Sequence, residues 1–205
     1  MIGIIDYGLG NVASVINMLK KINEHDVIFS NNITELGKCE KLILPGVGAF
    51  EKGMENLKKA NLISFLKDKV ENDQIPILGI CLGMQLLTRF SEEGDVEGLG
   101  FIQAKTKKFN FETESSFPIP HMGWNYVKVV RNNKILKEGE NLKMKFYFVH
   151  SYYVECQNGN DVITTSNYGI DFCSSFNNNN IYGVQFHPEK SHIYGEQLFR
   201  EFVSI

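Results

Sequence analysis

Several things are scarce in this sequence. No apolar run approaches the roughly 20 residues that a bilayer-spanning helix needs, so no membrane partner is expected. Charge is nearly balanced, with 21 Lys and Arg against 24 Asp and Glu for a net of −3. That balance gives no pull toward nucleic acid or an anionic surface. Cysteine occurs four times, at Cys39, Cys81, Cys156 and Cys173. None stands in a Cys-x-x-Cys pair, which leaves zinc and dithiol chemistry unsupported; no metal and no cofactor are expected. The opening Met1-Ile2-Gly3-Ile4-Ile5-Asp6 lacks a charged leader and a cleavage site, and reads as a first strand. With unpaired thiols, the expectation is a cytoplasmic protein. There is no internal repeat and no linker of biased composition. With 43% hydrophobic residues, a single domain over residues 1–205 is expected.

What is present is alternation. Ile2–Ile5, Asp26–Ser30, Lys41–Pro45 and Ile75–Ile80 read as strands. Between them, Val12–Ile22 and Phe50–Val70 carry helical periodicity, the second with Leu57, Leu62, Phe65, Leu66 and Val70 on its core face. The pattern predicts an α/β fold with a mostly parallel central sheet flanked by helices. The second half reads as additional antiparallel strands over 100–111, 125–130, 145–156, 161–166 and 181–186. A short helix follows over 192–202, and Asn177–Asn180 reads as a hairpin loop. Lys105, Lys107 and Lys108 are expected to guard a solvated strand edge.

The chemistry concentrates at Gly79-Ile80-Cys81-Leu82-Gly83-Met84-Gln85. A cysteine pinched between glycines at a strand-to-helix turn has the pattern of a nucleophile elbow. Neighbours without Cβ atoms let the turn close and a substrate approach. The Leu82 N–H is placed to donate to an oxyanion, and the following helix favours thiolate over thiol. Near the end, Tyr182-Gly183-Val184-Gln185-Phe186-His187-Pro188-Glu189 puts an imidazole and a carboxylate two residues apart at a strand terminus. In extended chain they leave on one face. The carboxylate can fix the imidazole tautomer, and the imidazole can take the thiol proton.

These segments resemble the class I, triad-type glutamine amidotransferases, and most closely their glutaminase subunits of imidazole glycerol phosphate synthase. The resemblance runs nearly end to end. It includes Asp6-Tyr7-Gly8-Leu9-Gly10-Asn11, Leu44-Pro45-Gly46-Val47-Gly48-Ala49-Phe50, Pro120-His121-Met122-Gly123-Trp124-Asn125, Tyr147-Phe148-Val149-His150-Ser151-Tyr152 and Gln185-Phe186-His187-Pro188-Glu189. It implies Cys81 as nucleophile, His187 as base and Glu189 as orienter. Gly46 and Val47, with Leu82, would supply the oxyanion hole. Gln85, His150, Ser151 and Tyr152 would hold the L-glutamine substrate. It further implies a heterodimeric partner, a (β/α)8-barrel cyclase or synthase, docking near Asn11, Trp124 and Tyr147.

Two segments carry a second reading from the residues themselves. Asn11 equally suits the N-cap of the first helix, and His121 suits a satisfied buried polar group. The glycines of Pro45-Gly46-Val47-Gly48 leave their peptide planes free to rotate. The stretch from Lys105 to Phe117 is atypical of the family. It leaves open a related glutaminase that supplies ammonia to a surface-polysaccharide sugar amidotransferase, and more remotely a non-catalytic regulatory role.

Overall fold

A computed structural model describes residues 1–111, 117–137 and 144–205. Residues 112–116, including Glu112 of the atypical stretch, lie outside the described residues.

Five parallel strands form the frame. They are β1 (Ile2–Ile5), β2 (Val27–Ser30), β3 (Lys41–Gly46), β4 (Ile77–Cys81) and, last in the chain, β14 (Ile181–Val184). Their order across the sheet is β2, β1, β3, β4, β14. Every residue of β1, β4 and β14 is buried, because helices cover both faces. On one face α1 (Val12–Lys21) contributes Val15, Met18 and Leu19 to a core shared with Leu198, Phe199 and Phe202 near the C-terminus. On the other, Leu57, Leu62, Leu66 and Val70 pack against Leu42, Leu44 and Ile77. A short α2 (Ile33–Leu36), capped by the Asn32 side chain, was not foreseen.

The helix expected over 50–70 is three pieces: α3 (Phe50–Lys59), α4 (Leu62–Lys67) and a π-helical turn over Asp68–Asn72. The break falls at Asn61, which takes a left-handed conformation at φ 56°. Asparagine tolerates that conformation better than most residues. The apolar spacing runs through the kink because both pieces face the same sheet.

Beyond β14 the sheet continues antiparallel through β13 (Ile170–Asn178), β11 (Tyr152–Cys156) and β7 (Ala104–Lys108), then through β5 (Phe90–Ser91) to β6 (Val96–Glu97). The hairpin turn between β13 and β14 at Asn179–Asn180 agrees with the sequence reading. β13 itself was missed. Its Ser174 and Ser175 look like turn residues, yet both are buried and both hydroxyls meet Thr164 Oγ1, at 2.8 and 2.7 Å. Thr164 belongs to β12 (Val162–Tyr168), which pairs with β13 and with β9 (Lys128–Val129). The edge expectation fails at Lys105, which is paired on both sides, with β11 and β5, while at Lys107 and Lys108 the ladder with β5 has ended and β7 is paired with β11. Lys107 instead meets Glu155 across the strand pair at 3.3 Å.

Two further differences shape the site. The strand expected over 145–156 is broken at Ser151 into β10 (Lys145–His150) and β11, which belong to different sheets. β8 starts earlier than expected and spans His121–Tyr126; among the described residues it pairs with β10 alone, in a separate two-stranded sheet. Phe146 of β10 stacks on Phe186 with centroids 3.9 Å apart, which fixes this small sheet over the end of β14.

Candidate active site

Cys81 ends β4 and caps α5 (Leu82–Leu86), with φ 54° and ψ −109°. A non-glycine residue there is strained, and the strain is held by close packing on every side. A Cβ on Gly79 would lie 2.7 Å from the Gly83 carbonyl carbon, and one on Gly83 would collide with the Leu44 carbonyl. The elbow therefore closes only with glycine at both positions. Its helix is a single turn, so aligned peptide dipoles contribute less at the sulfur than the sequence suggested.

His187 follows β14, the neighbour of β4, and its backbone N–H donates to Tyr147 O of β10 at 2.8 Å. His187 Nδ1 sits 2.7 Å from Glu189 Oε1, both side chains buried. Burial opposes charging the imidazole, but the Cys81 sulfur and the Glu189 carboxylate outweigh it and raise the His187 pKa to about 10. His187 Nε2, by contrast, is buried with no nitrogen or oxygen partner among the described residues, and the polar neighbour acting on the ring besides Glu189 is the Cys81 sulfur. The structure thus brings Cys81, His187 and Glu189 together from segments that are distant in sequence.

Gly46 lies opposite Cys81 in the β3–β4 register. It is no free hinge, because a Cβ there would lie 2.5 Å from Tyr7 Oη and 2.7 Å from Gly83 N. Freedom resides one peptide later: Val47 is exposed, and Gly48, at φ 110°, has open space around it. Val47, Gly48, Cys81, Leu82, Gln85, His150, Ser151 and Tyr152 line a cavity of about 300 Å³. Gly46 and His187 are not among its lining residues, and Glu189 lines a different, smaller cavity with Ser14, Asn17, Met18 and Lys21.

The side chains expected to hold substrate are tied to one another. Gln85 Nε2 donates to Tyr152 O at 3.1 Å and to Gln185 Oε1 at 3.0 Å. His150 Nδ1 donates to the same Tyr152 O at 2.7 Å, and His121 Nδ1 donates to His150 Nε2 at 3.0 Å. Asn125 Nδ2 completes the chain, 3.3 Å from His121 Nε2. His121 is therefore the satisfied polar group that the sequence suggested. Burial lowers its pKa to about 4 and that of His150 to about 3, so both rings are neutral.

Asn11 occupies the N-cap position of α1 but makes no capping hydrogen bond. Its Nδ2 lies 3.5 Å from Glu189 Oε1 instead. Trp124 stacks on His192 with a 5.4 Å centroid separation and lies 6.3 Å from the Tyr147 ring. Met122, Trp124 and Tyr126 form an outward apolar row on β8, exposed by 62, 45 and 49%. Sequence reasoning missed two residues. Glu93 lines the cavity while its Oε2 accepts from Phe50 N, and Gln185 faces the cysteine from beneath. No local pattern marked Glu93, and Gln185 was quoted within a motif without a role.

A family model, glutamine amidotransferase class-I, matches residues 3–205. A Methanococcus maripaludis protein described as imidazole glycerol phosphate synthase subunit HisH 2 is 53% identical over 99% of this chain and 98% of its own length. The HisH protein of Leptospira borgpetersenii is 48% identical over the full length of both. HisH 2 of Pseudomonas aeruginosa is 44% identical, again over both full lengths. Among solved structures, PurLQS from Thermotoga maritima superposes with a TM-score of 0.71 at 19% identity, covering 99% of this chain and 97% of that one. A structure described as a glutamine amidotransferase gives 0.75 at 16% identity, covering 99 and 97%. The elbow, the buried imidazole–carboxylate pair and a match from residue 3 to 205 lead to one conclusion: the chain belongs to the class-I glutamine amidotransferase family.

Proposed function

We propose that this chain is the glutaminase subunit of an imidazole glycerol phosphate synthase, hydrolysing L-glutamine to glutamate and ammonia for a separate synthase subunit in histidine biosynthesis. The observation that carries the chemistry is the His187 ring. Nδ1 is fixed by Glu189 at 2.7 Å, and Nε2 is left buried beside Cys81 with no nitrogen or oxygen partner among the described residues. A buried ring nitrogen not engaged in a structural hydrogen bond is left available to take and return a proton, a use that accounts for the stability it costs.

Glutamine fits the small cavity with its carboxamide against Cys81. Ser151 and Tyr152 face its backbone groups, and Glu93 supplies an anion for the α-ammonium. The Cys81 proton passes to His187 Nε2, and the sulfur attacks the carboxamide carbon. The oxyanion is met by the Leu82 N–H and by peptides of the Gly46–Val47 strip. His187 returns the proton to the leaving ammonia, then activates water against the thioester. No step needs a metal or cofactor.

Ammonia released to solvent is lost, so the ammonia-accepting partner is expected to dock on the chain. The outward row Met122, Trp124 and Tyr126, with Tyr147 beside it, supports docking at that rim, and a (β/α)8 barrel is the partner the resemblance implies. The Val47–Gly48 peptide is the device that lets a docked partner control the oxyanion hole. One lost donor costs on the order of a hundredfold to a thousandfold in rate. The test is glutaminase turnover for the chain alone, with the barrel partner, and with barrel plus acceptor. A rise of about a hundredfold or more is expected; equal turnover in all three removes the gating reading.

A second reading keeps the glutaminase and changes the acceptor to a surface-polysaccharide sugar amidotransferase. Two of the similar relatives bear the numbered name HisH 2, and a second copy is free to serve another pathway. Stimulation by the sugar-modifying enzyme, and not by the histidine-pathway barrel, would select it.

A further inference from the structure

The Cys81 sulfur has two polar neighbours of opposite character besides the base. It lies 3.8 Å from Val149 O and 3.8 Å from Gln185 Nε2. A carbonyl oxygen can only accept, so it suits the thiol. An amide N–H can only donate, so it suits the thiolate.

The orientation of the Gln185 amide follows from the network. Tyr152 O can only accept, so the Gln85 atom at 3.1 Å is its nitrogen. That nitrogen lies 3.0 Å from one end of the Gln185 amide, which must therefore be oxygen, because two donors would oppose each other. The other end, the N–H, is left facing Cys81. Tyr152 O is held in turn by His150, His150 by His121, and His121 by Asn125, whose own amide is fixed by donation to Asn167 O at 2.8 Å. Gln185 is wholly buried, where an unused amide would be costly. Behind the sulfur, a one-turn helix supplies little field of its own.

We propose that Gln185 is a catalytic residue: its side-chain N–H donates to the Cys81 sulfur once the thiol proton has passed to His187 Nε2, and holds the thiolate for attack. The sulfur lone pair then forms the C–S bond, and the carbonyl electrons move to the oxyanion. Their return expels ammonia, which carries away the His187 proton. Water attack on the thioester restores the thiolate to the same N–H. The substrate in this account rests on the glutaminase reading; the reactivity of the sulfur does not.

The experiment therefore reads Cys81 directly in the full chain. Iodoacetamide alkylation is followed by peptide mapping across pH, for the unmodified chain, Gln185→Met and Gln185→Glu. The ionisable groups facing the sulfur are His187 with Glu189 behind it, Tyr7 from the loop after β1, His150 from β10 and Glu93 at the cavity rim. All are common to the three proteins. Gln185→Met is expected to slow Cys81 alkylation at neutral pH by about tenfold to a hundredfold, the range for losing a hydrogen bond to a charged group. Its alkylation midpoint should move upward. Gln185→Glu retains an acceptor for Gln85 and sets a carboxylate against the sulfur, so its midpoint should move further. A folded Gln185→Met alkylated at the unmodified rate and midpoint overturns the proposal.

A second measurement needs no stable variant. The Gln185 side-chain amide resonance of the unmodified, ¹⁵N-labelled chain should titrate with the Cys81 alkylation midpoint, and a resonance unmoved across that midpoint overturns the proposal by itself. Absence of glutamine turnover with every acceptor would remove the glutaminase reading while these two measurements still decide the role of Gln185.

Discussion

The two sides of the catalytic cavity are built by different means. On the Cys81 side, β3, β4 and α5 meet with no spare volume, and a single added carbon at Gly46, Gly79 or Gly83 would strike backbone. On the His150 side, β8 and β10 form a two-stranded sheet, and position comes from a line of side-chain hydrogen bonds through Asn125, His121 and His150. The first side is fixed by sterics at its glycines, and its freedom is confined to the Val47–Gly48 peptide at the rim. The second is fixed by polar pairs with an exposed apolar row on their outer surface, so it can respond to what docks there.

The most severe test of the rigid side is chemical. Cys81→Ala should reduce glutamine turnover by about 10⁴-fold or more, with the melting temperature unchanged. Substantial residual activity, or equal damage from Cys39→Ala, would remove Cys81 as nucleophile. Next, His187→Asn should cost more than Glu189→Gln, by about tenfold to a hundredfold, because the orienting acid contributes less than the base in such triads. Measured kcat in the reverse order would exchange their roles.

The contrast in packing is tested by stability. Gly83→Ala should cost about 3 kcal/mol through overpacking against Leu44. Gly159→Ala, with open space around it, should cost under about 0.5 kcal/mol. Similar thermal melts for the two variants would deny that the elbow lacks slack. On the adjustable side, Trp124→Ala should weaken binding of the barrel partner by roughly thirtyfold, the scale of a central aromatic anchor. Unchanged affinity in a titration would move the docking surface elsewhere.

The smallest effect concerns acid. The unfolded chain protonates His121 near pH 6.5, whereas the folded chain resists until about pH 4. The unfolded state therefore binds more protons in that window, and stability falls as pH drops from about 6.5 toward 4. His121→Asn also loses ring packing and hydrogen bonds that offset part of the gain, so it should flatten the fall in melting temperature by roughly 2–4 °C. An identical slope in both proteins would show that His121 is not held neutral.

The parallel frame was legible because each strand is a short, wholly apolar run between helical stretches. The grouping of Cys81, His187 and Glu189 was legible because each sits in a compact motif. The divided helix at Asn61 was hidden, since the apolar spacing continues across the kink. β13 was hidden because its serines find partners on another strand, and no window of sequence shows that pairing. The break at Ser151 was hidden for a related reason: Tyr147 to Cys156 has unbroken strand character, and only tertiary pairing sends its halves to different sheets. Gln185 was quoted within a motif but given no task, since its task depends on Gln85, a hundred positions away.

The adjacency of β4 and β14 has a consequence for descent. The two strands are direct neighbours in the sheet, yet the chain leaves one at Cys81 and enters the other at Ile181. Everything between is one long excursion. Cys81, His187 and Glu189, the triad proposed here, are set outside that excursion, while the outward row of β8 lies within it. After a gene duplication, the outward row of β8 can change to suit a new acceptor, provided that the cavity-lining Leu82, Gln85 and His150–Tyr152 within the same excursion are kept.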